Sequence, residues 1–256
     1  MILNSRIFGH SEKKLIILHG FLGSLDNWVT IAKKFSDIGF EVHVLDQRNH
    51  GKSFHSDEFT YSLMSEDLKK YIEYKNLDKV SIIGHSMGGK TACCFALDHK
   101  TLVEKLIIVD ILPIKYDNNY DFIFKALNSV NLKFIQKRSD FDNHLKNYFK
   151  DELFISFLSK NLTRSNNGIF KFKFNLASLI NNINNVLSEI ESNYFYEKNI
   201  VFIRGTKSDY VTNEGLKKSS LLFTNYELIS IEDGGHWLHY EKPLEFFDIC
   251  KKQLST

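Results

Sequence analysis

Short apolar runs recur along the chain, and glycine or polar residues follow each of them. Six are rich in Val, Ile and Leu, and they cover residues 15–18, 42–45, 80–83, 106–109, 200–203 and 228–231. Patterns of helical period separate several of these runs. Continuous apolar runs that alternate with helices are typical of a parallel sheet buried on both faces. The sequence therefore predicts an α/β fold with a mostly parallel central sheet and helices on both faces.

The rhythm changes in the middle of the chain, where Asn, Lys and Phe become frequent. Apolar residues repeat at helical spacing across 123–134 and again across 141–149. After an Asn-Gly pair, Phe170, Phe172 and Phe174 alternate with lysines, which is typical of a short strand or hairpin. We interpret this whole stretch as a mainly helical cap inserted into the core.

The chain is therefore divided into three parts. Residues 1–113 form the first part of the core, residues 114–196 form the inserted cap, and residues 197–256 form the second part of the core. A length of 256 residues suits one large domain with such an insertion.

Side chains that can take part in catalysis lie at or just after the ends of four of the predicted strands. Ser86 lies in GHSMGGKT after the third run, Asp110 ends the fourth, Asp209 lies in RGTKSDYV after the fifth, and His236 lies in EDGGHWLH after the sixth. The carboxyl ends of parallel strands meet at one edge of the sheet, so these side chains are expected to lie close together. The chain order Ser, Asp, His is also that of catalytic triads in this fold class.

The segment GHSMGGKT, residues 84–91, satisfies two motifs. As G-x-x-x-x-G-K-T it is a phosphate-binding loop with Lys90 and Thr91 as nucleotide contacts, and Asp110 would then serve Mg²⁺. That interpretation leaves HGF, DQRNHGKS and GGHW unexplained. As G-x-S-x-G it places Ser86 on a sharp turn between strand and helix, and this interpretation accounts for every one of those segments.

The second interpretation requires a base and an oxyanion site. A serine hydroxyl is a weak nucleophile at neutral pH, and His236 is the predicted base. Backbone N–H groups of Met87, the residue after the nucleophile, and Phe21, in the loop after the first long run, are the predicted oxyanion donors.

Composition and charge limit the kinds of binding partner that the protein is expected to have. A net charge of +2 is too balanced to favour nucleic acid. No apolar run approaches the ~18 residues that a membrane helix requires, and the N-terminus lacks a leader pattern, so we expect a cytoplasmic protein without membrane insertion. Three cysteines without metal-like spacing predict neither a metal site nor a cofactor. The sequence leaves the oligomeric state open.

Several of these segments together resemble those of a known enzyme family. HGFLGSLDNW, DQRNHGKS, GHSMGGK, IIVDILP and GGHWLHYEKP resemble the YbfF-type esterases of the α/β-hydrolase superfamily over nearly the whole chain. The resemblance implies an α/β-hydrolase fold and a serine esterase that acts on short to medium acyl esters or thioesters without a cofactor.

Two aspartates compete for the role of triad acid. Most α/β-hydrolases carry the acid after the next-to-last strand, where Ser208 holds the usual register and Asp209 follows it. In YbfF-like enzymes the acid follows the preceding strand, in the motif matched by VDILP, so the resemblance favours Asp110. We expect Asp46 and Arg48, in DQRNHGKS, to organise a turn below the site rather than to take part in catalysis.

Three alternatives accompany the esterase hypothesis. The same triad supports thioester hydrolysis or acyl transfer, because fold and triad do not separate these reactions. The pocket of a hydrolase fold also suits a non-catalytic ligand-binding protein. The third alternative is the nucleotide-binding protein that the phosphate-loop motif suggests.

Overall fold

The computed structural model describes residues 1–255. The strands in chain order are β1 (Ser5–Phe8), β2 (Lys14–Leu18), β3 (Glu41–Leu45), β4 (Val80–His85), β5 (Val103–Val109), β6 (Leu162–Arg164), β7 (Phe170–Phe172), β8 (Ile200–Gly205) and β9 (Tyr226–Ile231). Seven of them form one sheet in the order β1-β3-β2-β4-β5-β8-β9, while β6 and β7 form a separate hairpin. Within the sheet, β1 runs antiparallel to β3 and all other neighbours are parallel. All six apolar runs lie inside strands, so the predicted mostly parallel sheet is confirmed.

Helices cover both faces of this sheet. In chain order they are α1 (Val29–Asp37), α2 (Tyr61–Tyr74), α3 (Met87–Asp98), α4 (Asp121–Ser129), α5 (Arg138–Leu145), α6 (Glu152–Ser159), α7 (Leu176–Asn181), α8 (Ile183–Leu187), α9 (Asn213–Ser219), α10 (Leu238–Glu241) and α11 (Pro243–Ser255). Within residues 1–255, no helix combines the length and the apolar character that crossing a membrane requires.

The alternation of side chains along β2 explains why its apolar run is continuous. Leu15 and Ile17 point to the face covered by α1 and α11. Ile16 and Leu18 point to the opposite face, where α2 and α3 pack. Because successive residues of a strand face opposite sides, a sheet covered twice requires apolar residues at every position.

The edge strand β1 was not predicted from the sequence. Its residues, SRIF, are exposed or half-buried, and they pair with β3 on one side only. An edge strand needs no continuous apolar run, so this strand carries no pattern that separates it from a loop.

The segment 114–196 contains α4 to α8 and the β6–β7 hairpin. The chain enters and leaves this segment side by side. The Tyr116 N–H donates to the Leu187 carbonyl at 2.9 Å, and the Ile190 N–H donates to the Pro113 carbonyl at 3.1 Å. We call these two adjoining stretches, residues 113–116 and 186–190, the neck.

The helices of the cap are shorter than the apolar spacing predicted. Helix α4 ends at Ser129, and Val130 is already extended. Helix α5 ends at Leu145, so Tyr148 and Phe149 follow it in a turn. In both places apolar residues keep the helical spacing in the sequence although the helix itself has already ended. The predicted hairpin is present, and Gly168 occupies its turn with a φ of 80°.

Candidate active site

The turn around Ser86 is strained and closely packed. Strand β4 ends at His85 and helix α3 begins at Met87, so one residue joins them. Ser86 takes a φ of 51° and a ψ of −121°, a conformation that non-glycine residues adopt at a cost. A strained serine held between a buried strand and a buried helix is the geometry of a nucleophile elbow.

The flanking glycines are required by space. A Cβ on Gly84 would lie 2.4 Å from the carbonyl oxygen of Gly88, and one on Gly88 would lie 2.5 Å from that of Leu18. Both neighbours are backbone atoms, which have little freedom to move. The G-x-S-x-G spacing thus follows from the close approach of helix α3 to strands β4 and β2.

His236 contacts Asp110, one of the two candidate acids. The His236 Nδ1 lies 2.8 Å from Asp110 Oδ2, and the Asp110 side chain is fully buried. The same carboxylate accepts hydrogen bonds from the Gly205 N–H at 3.1 Å and from the Ser208 hydroxyl. Three donors therefore hold the Asp110 carboxylate in place beside the imidazole.

The competing aspartate is placed differently. Asp209 is exposed, on the loop after β8. Its neighbour Ser208 points inward and donates to Asp110. The residue in the usual register of the acid therefore supports the carboxylate that comes from the adjacent strand β5, and the contact to His236 belongs to Asp110 rather than to Asp209.

The loop that carries His236 is held on both sides by one carboxylate. Glu241 accepts from the Gly235 N–H at 2.7 Å and from the Trp237 N–H at 2.9 Å. Hydrogen bonds to an ionised acceptor are stronger than neutral ones. Sequence reasoning did not identify Glu241, although it lies in the segment GGHWLHYEKP; its position after the histidine was the available signal.

His85 ties the same loop to the elbow. Its Nε2 lies 2.8 Å from the carbonyl oxygen of His236 and donates to it. Burial lowers the pKa of His85 well below its ordinary value, with nearby His236 and His239 adding to the effect. Burial also lowers the pKa of His239 to about 3, and its ring stacks on Trp28 at 3.9 Å. Both histidines are therefore neutral at physiological pH, and His85 acts through its hydrogen bond whereas His239 acts through packing.

The predicted oxyanion donors belong to two segments that adjoin Ser86. Met87 is the first residue of α3, where a backbone N–H has no partner within the helix. Phe21 follows Gly20, and a Cβ on Gly20 would lie 3.2 Å from the Ser86 Cβ. Among residues 1–255, the structure gives neither the Phe21 nor the Met87 amide an acceptor within hydrogen-bond distance. The geometry leaves both groups available to a bound anion.

A cleft of about 470 Å³ lies between this edge of the sheet and the cap. Ser86 and His236 both line it. The cap contributes mainly apolar and aromatic side chains: Tyr120, Ile123, Tyr148, Phe149, Phe154 and Phe157. The apolar spacing of the cap does not specify which of its aromatic side chains face the cleft, because that depends on how the cap helices are oriented.

A second cavity of about 420 Å³ adjoins the cleft. It shares Tyr120, Tyr210 and His236 with the cleft, and it adds polar side chains such as Lys207 and Asp209. The Tyr210 ring stacks on the imidazole of His236 with 4.2 Å between centroids. His236 therefore lines both the cleft and a neighbouring cavity with more polar walls.

The segment DQRNHGKS organises a turn, as expected. Asp46 accepts hydrogen bonds from the backbone N–H groups of Leu25 and Lys52. Arg48 binds Asp67 through two contacts of 2.6 and 2.9 Å, and both side chains are buried. These charges are fully engaged below the cleft.

The phosphate-loop interpretation of GHSMGGKT is wrong. Lys90 is buried, and its ammonium donates to three backbone carbonyls rather than facing a ligand space. The Thr91 hydroxyl donates to the Met87 carbonyl at 3.1 Å. Neither side chain is free to contact a nucleotide or its metal ion.

Comparison with known proteins agrees with this geometry. A family model described as alpha/beta hydrolase fold matches residues 13–243. The chain is 34% identical over 239 residues to the sn-1-specific diacylglycerol lipase ABHD11 of Danio rerio, covering 91% of this chain and 75% of that one. It is 28% identical over 235 residues to esterase YbfF of Escherichia coli, covering 91% and 90%.

A solved structure supports the same assignment at higher identity. A marine microorganism esterase superimposes with a TM-score of 0.95 and 38% identity, covering 98% of this chain and 99% of that one. The resemblance to YbfF-type esterases and the predicted α/β-hydrolase fold are therefore confirmed.

Proposed function

The chain belongs to the α/β-hydrolase fold family as a serine hydrolase of the esterase/lipase kind, and on that premise we propose that it hydrolyses short to medium acyl esters through an acyl-enzyme. Ser86 is the proposed nucleophile, His236 the general base, and Asp110 the acid that orients the base.

The contact between His236 and Asp110 carries this proposal. Because Nδ1 of His236 donates to Asp110, its Nε2 is left as the proton acceptor of the neutral imidazole. Ser86 lines the same cleft as this imidazole. A buried carboxylate also stabilises the imidazolium that forms when the serine proton is taken up.

The proposed reaction has two halves. The Ser86 oxygen attacks the acyl carbonyl carbon while His236 takes the hydroxyl proton, and the alcohol leaves with that proton as the acyl-enzyme forms. Water then attacks the acyl carbon and gives a proton to His236, and His236 returns that proton to the Ser86 oxygen as the bond between this oxygen and the acyl group breaks and the carboxylic acid leaves. The Met87 and Phe21 amides would hold the oxyanion in both halves, and losing one such donor typically costs about 10²–10³ in turnover.

The walls of the cleft favour an acyl group over a charged one. Aromatic side chains from the cap dominate it, and burying apolar surface contributes about 25 cal/mol per Å². Its volume of about 470 Å³ lies within the range of small-ligand pockets. We therefore place the acyl chain against the cap. A panel of p-nitrophenyl esters of increasing acyl length, together with an acyl thioester, measures this preference.

The first test is intact mass after treatment with a fluorophosphonate, which reacts with activated serines. The wild-type protein should gain one adduct, and Ser86→Ala should gain none. Ser86→Ala should also lose about 10⁴-fold or more of its turnover on a p-nitrophenyl ester. A folded wild-type protein that forms no adduct, or an adduct that persists in Ser86→Ala, would contradict the proposed nucleophile.

A further inference from the structure

The loop that carries Phe21 makes a tight turn around a strained residue. The Gly23 N–H donates to the Gly20 carbonyl at 3.0 Å, which closes a four-residue turn over residues 20–23. Leu22, the third residue of this turn, takes a φ of 58°. A leucine adopts this left-handed conformation at a cost, so it persists only where the surrounding structure holds it.

Two buried side chains hold the backbone of Leu22. Its N–H donates to Nε2 of His50 at 3.2 Å, and its carbonyl accepts from Nδ2 of Asn161 at 2.6 Å. Nδ1 of His50 donates to the Arg48 carbonyl at 2.9 Å, which leaves Nε2 as the acceptor of a neutral imidazole. Burial lowers the pKa of His50 well below its ordinary value, so this imidazole stays neutral. His50 belongs to the core, whereas Asn161 belongs to the cap.

The hydrogen bond from Asn161 reaches the predicted oxyanion donor through two peptide groups. Nδ2 of Asn161 holds the carbonyl of the peptide between Leu22 and Gly23. The N–H of that same peptide donates to the Gly20 carbonyl, which shares its own peptide with the Phe21 N–H. In the part of the chain that the structure describes every peptide is trans, so the N–H and the carbonyl of each peptide point in opposite directions. Holding these two carbonyls therefore fixes the direction of the Phe21 N–H.

Packing alone does not account for the side chain of Asn161. Its Nδ2 also donates to the Phe157 carbonyl at 3.1 Å, so one amide serves the end of its own helix and crosses to the core. Within residues 1–255, its Oδ1 is buried and has no hydrogen-bond donor. Because a buried polar atom without a partner is costly, an apolar side chain of similar size would suit this position better if Nδ2 had no role.

We propose that Asn161 is a positioning residue through which the cap holds the Phe21 amide in the oxyanion site. His50 holds the other end of Leu22 in the same way. The inference rests on the proposed function, because an oxyanion forms only if Ser86 attacks an acyl carbonyl. Unlike the aromatic side chains of the cap, Asn161 acts through a hydrogen bond, so its loss should appear in turnover rather than in acyl-chain preference.

The size of the expected effect follows from what the Asn161→Leu variant leaves in place. Losing an oxyanion donor outright typically costs about 10²–10³ in turnover. This variant misplaces the donor without removing it, and Nδ1 of His19 still holds the Gly20 carbonyl at 2.8 Å. We therefore expect kcat to fall by about 10- to 100-fold. KM should change little, because the bond to the oxyanion is made only in the transition state.

A trifluoromethyl ketone separates this role from a merely structural one. The Ser86 oxygen adds to its carbonyl carbon, and the resulting oxyanion occupies the oxyanion site. Such an analogue gains its affinity from interactions made in the transition state. In Asn161→Leu, the inhibition constant of an alkyl trifluoromethyl ketone should rise by the same factor, about 10- to 100-fold, by which kcat/KM for a p-nitrophenyl ester falls. The order of preference among acyl lengths should stay that of the wild type.

Asn182→Leu is the matched control. Asn182 donates to the Ser178 carbonyl of its own helix at 2.9 Å and to the Asp57 carbonyl of the core at 2.9 Å. It therefore repeats both contacts of Asn161 at a place outside the oxyanion loop. This variant should keep the wild-type kcat and inhibition constant, even if its melting temperature falls as far as that of Asn161→Leu. Equal kinetic losses in the two variants, or unchanged inhibitor affinity in folded Asn161→Leu, would overturn the proposal.

His50→Phe covers the case in which Asn161→Leu fails to fold. It keeps an aromatic ring in the buried position and removes the acceptor of the Leu22 N–H. The inhibition constant should again rise, and kcat/KM fall, by one common factor of about 10-fold or more. A folded His50→Phe with wild-type values of both would show that the backbone of Leu22 does not set the direction of the Phe21 amide.

Failure of this inference is distinguishable from failure of the proposed function. A wild-type protein that forms no fluorophosphonate adduct contradicts Ser86 as the nucleophile and removes the basis of the inference with it. If the wild type forms the adduct and Asn161→Leu matches it in kcat and inhibitor affinity, the proposed function stands and only the role of Asn161 is refuted.

Discussion

The carboxyl edge of the sheet and the cap form opposite walls of one cleft, but different forces hold them. At the edge, directional hydrogen bonds place the Asp110 carboxylate and the His236 loop. In the cap, aromatic rings pack on one another, as Phe149 does on Phe154 with centroids 4.9 Å apart. Hydrophobic packing is non-directional. We therefore expect substitutions at the edge to change turnover, and substitutions in the cap to change which substrates fit.

The largest contrast is expected between two aspartates at the edge. Asp110→Asn should lower kcat by about 10⁴-fold, because an amide no longer holds the imidazole in the required tautomer or stabilises its charged form. Asp209→Asn should change kcat by less than about fivefold, since Asp209 is exposed and makes no contact with His236. Steady-state kinetics on a p-nitrophenyl ester measures both. Equal losses in the two variants would remove Asp110 from the proposed triad.

A smaller loss is expected one step further from the chemistry. Glu241→Gln replaces a carboxylate that accepts from the backbone on both sides of His236, and an amide has only one oxygen to offer. A misplaced base costs up to about 10²-fold in rate, so kcat should fall by about 10- to 100-fold while KM changes little.

Glu245→Gln is the control for that variant, because Glu245 lies nearby on α11 and is exposed. Its kinetics should match those of the wild type. If Glu241→Gln also retains wild-type kcat, the two backbone contacts do not position the histidine.

Substitutions in the cap should change the selectivity for acyl-chain length. Phe154 lines the cleft and packs against Trp237 with 5.6 Å between ring centroids. Phe154→Ala should shift the preference to a longer acyl chain and raise kcat/KM for the longest accepted ester by about 10-fold. The reason is that one or a few methylenes are worth about 1–3 kcal/mol. Phe134→Ala, at a residue that is 79% exposed, should leave the profile unchanged. If Phe154→Ala instead lowers kcat equally for esters of every acyl length, the cap acts on the triad rather than on the acyl group.

Some features of the candidate site could be predicted from the sequence and others could not. Ser86 lies in a short segment whose glycines are imposed by backbone contacts, and His236 follows two glycines that pack against the side chains of Leu238 and Glu241, so both motifs report a crowded local geometry. Glu241 accepts from N–H groups of its own segment, where its position after the histidine was the available signal. His85 donates to a carbonyl 151 residues further along the chain, and no sequence spacing predicts such a contact. The aromatic residues that face the cleft were also not selectable, because the cap helices end earlier than their apolar periodicity indicates.

By itself, the sequence determined the mostly parallel sheet, the positions of its buried strands along the chain and the turn around Ser86, since these depend on local periodicity and on glycines that no other residue replaces. Tertiary structure decided which aspartate meets His236, because strands β5 and β8 are neighbours in space and only Asp110 points inward. It also decided the place of Lys90. The letters GKT suit a phosphate, but helix α3 buries that lysine among the carbonyls of a neck that comes from residues far along the chain.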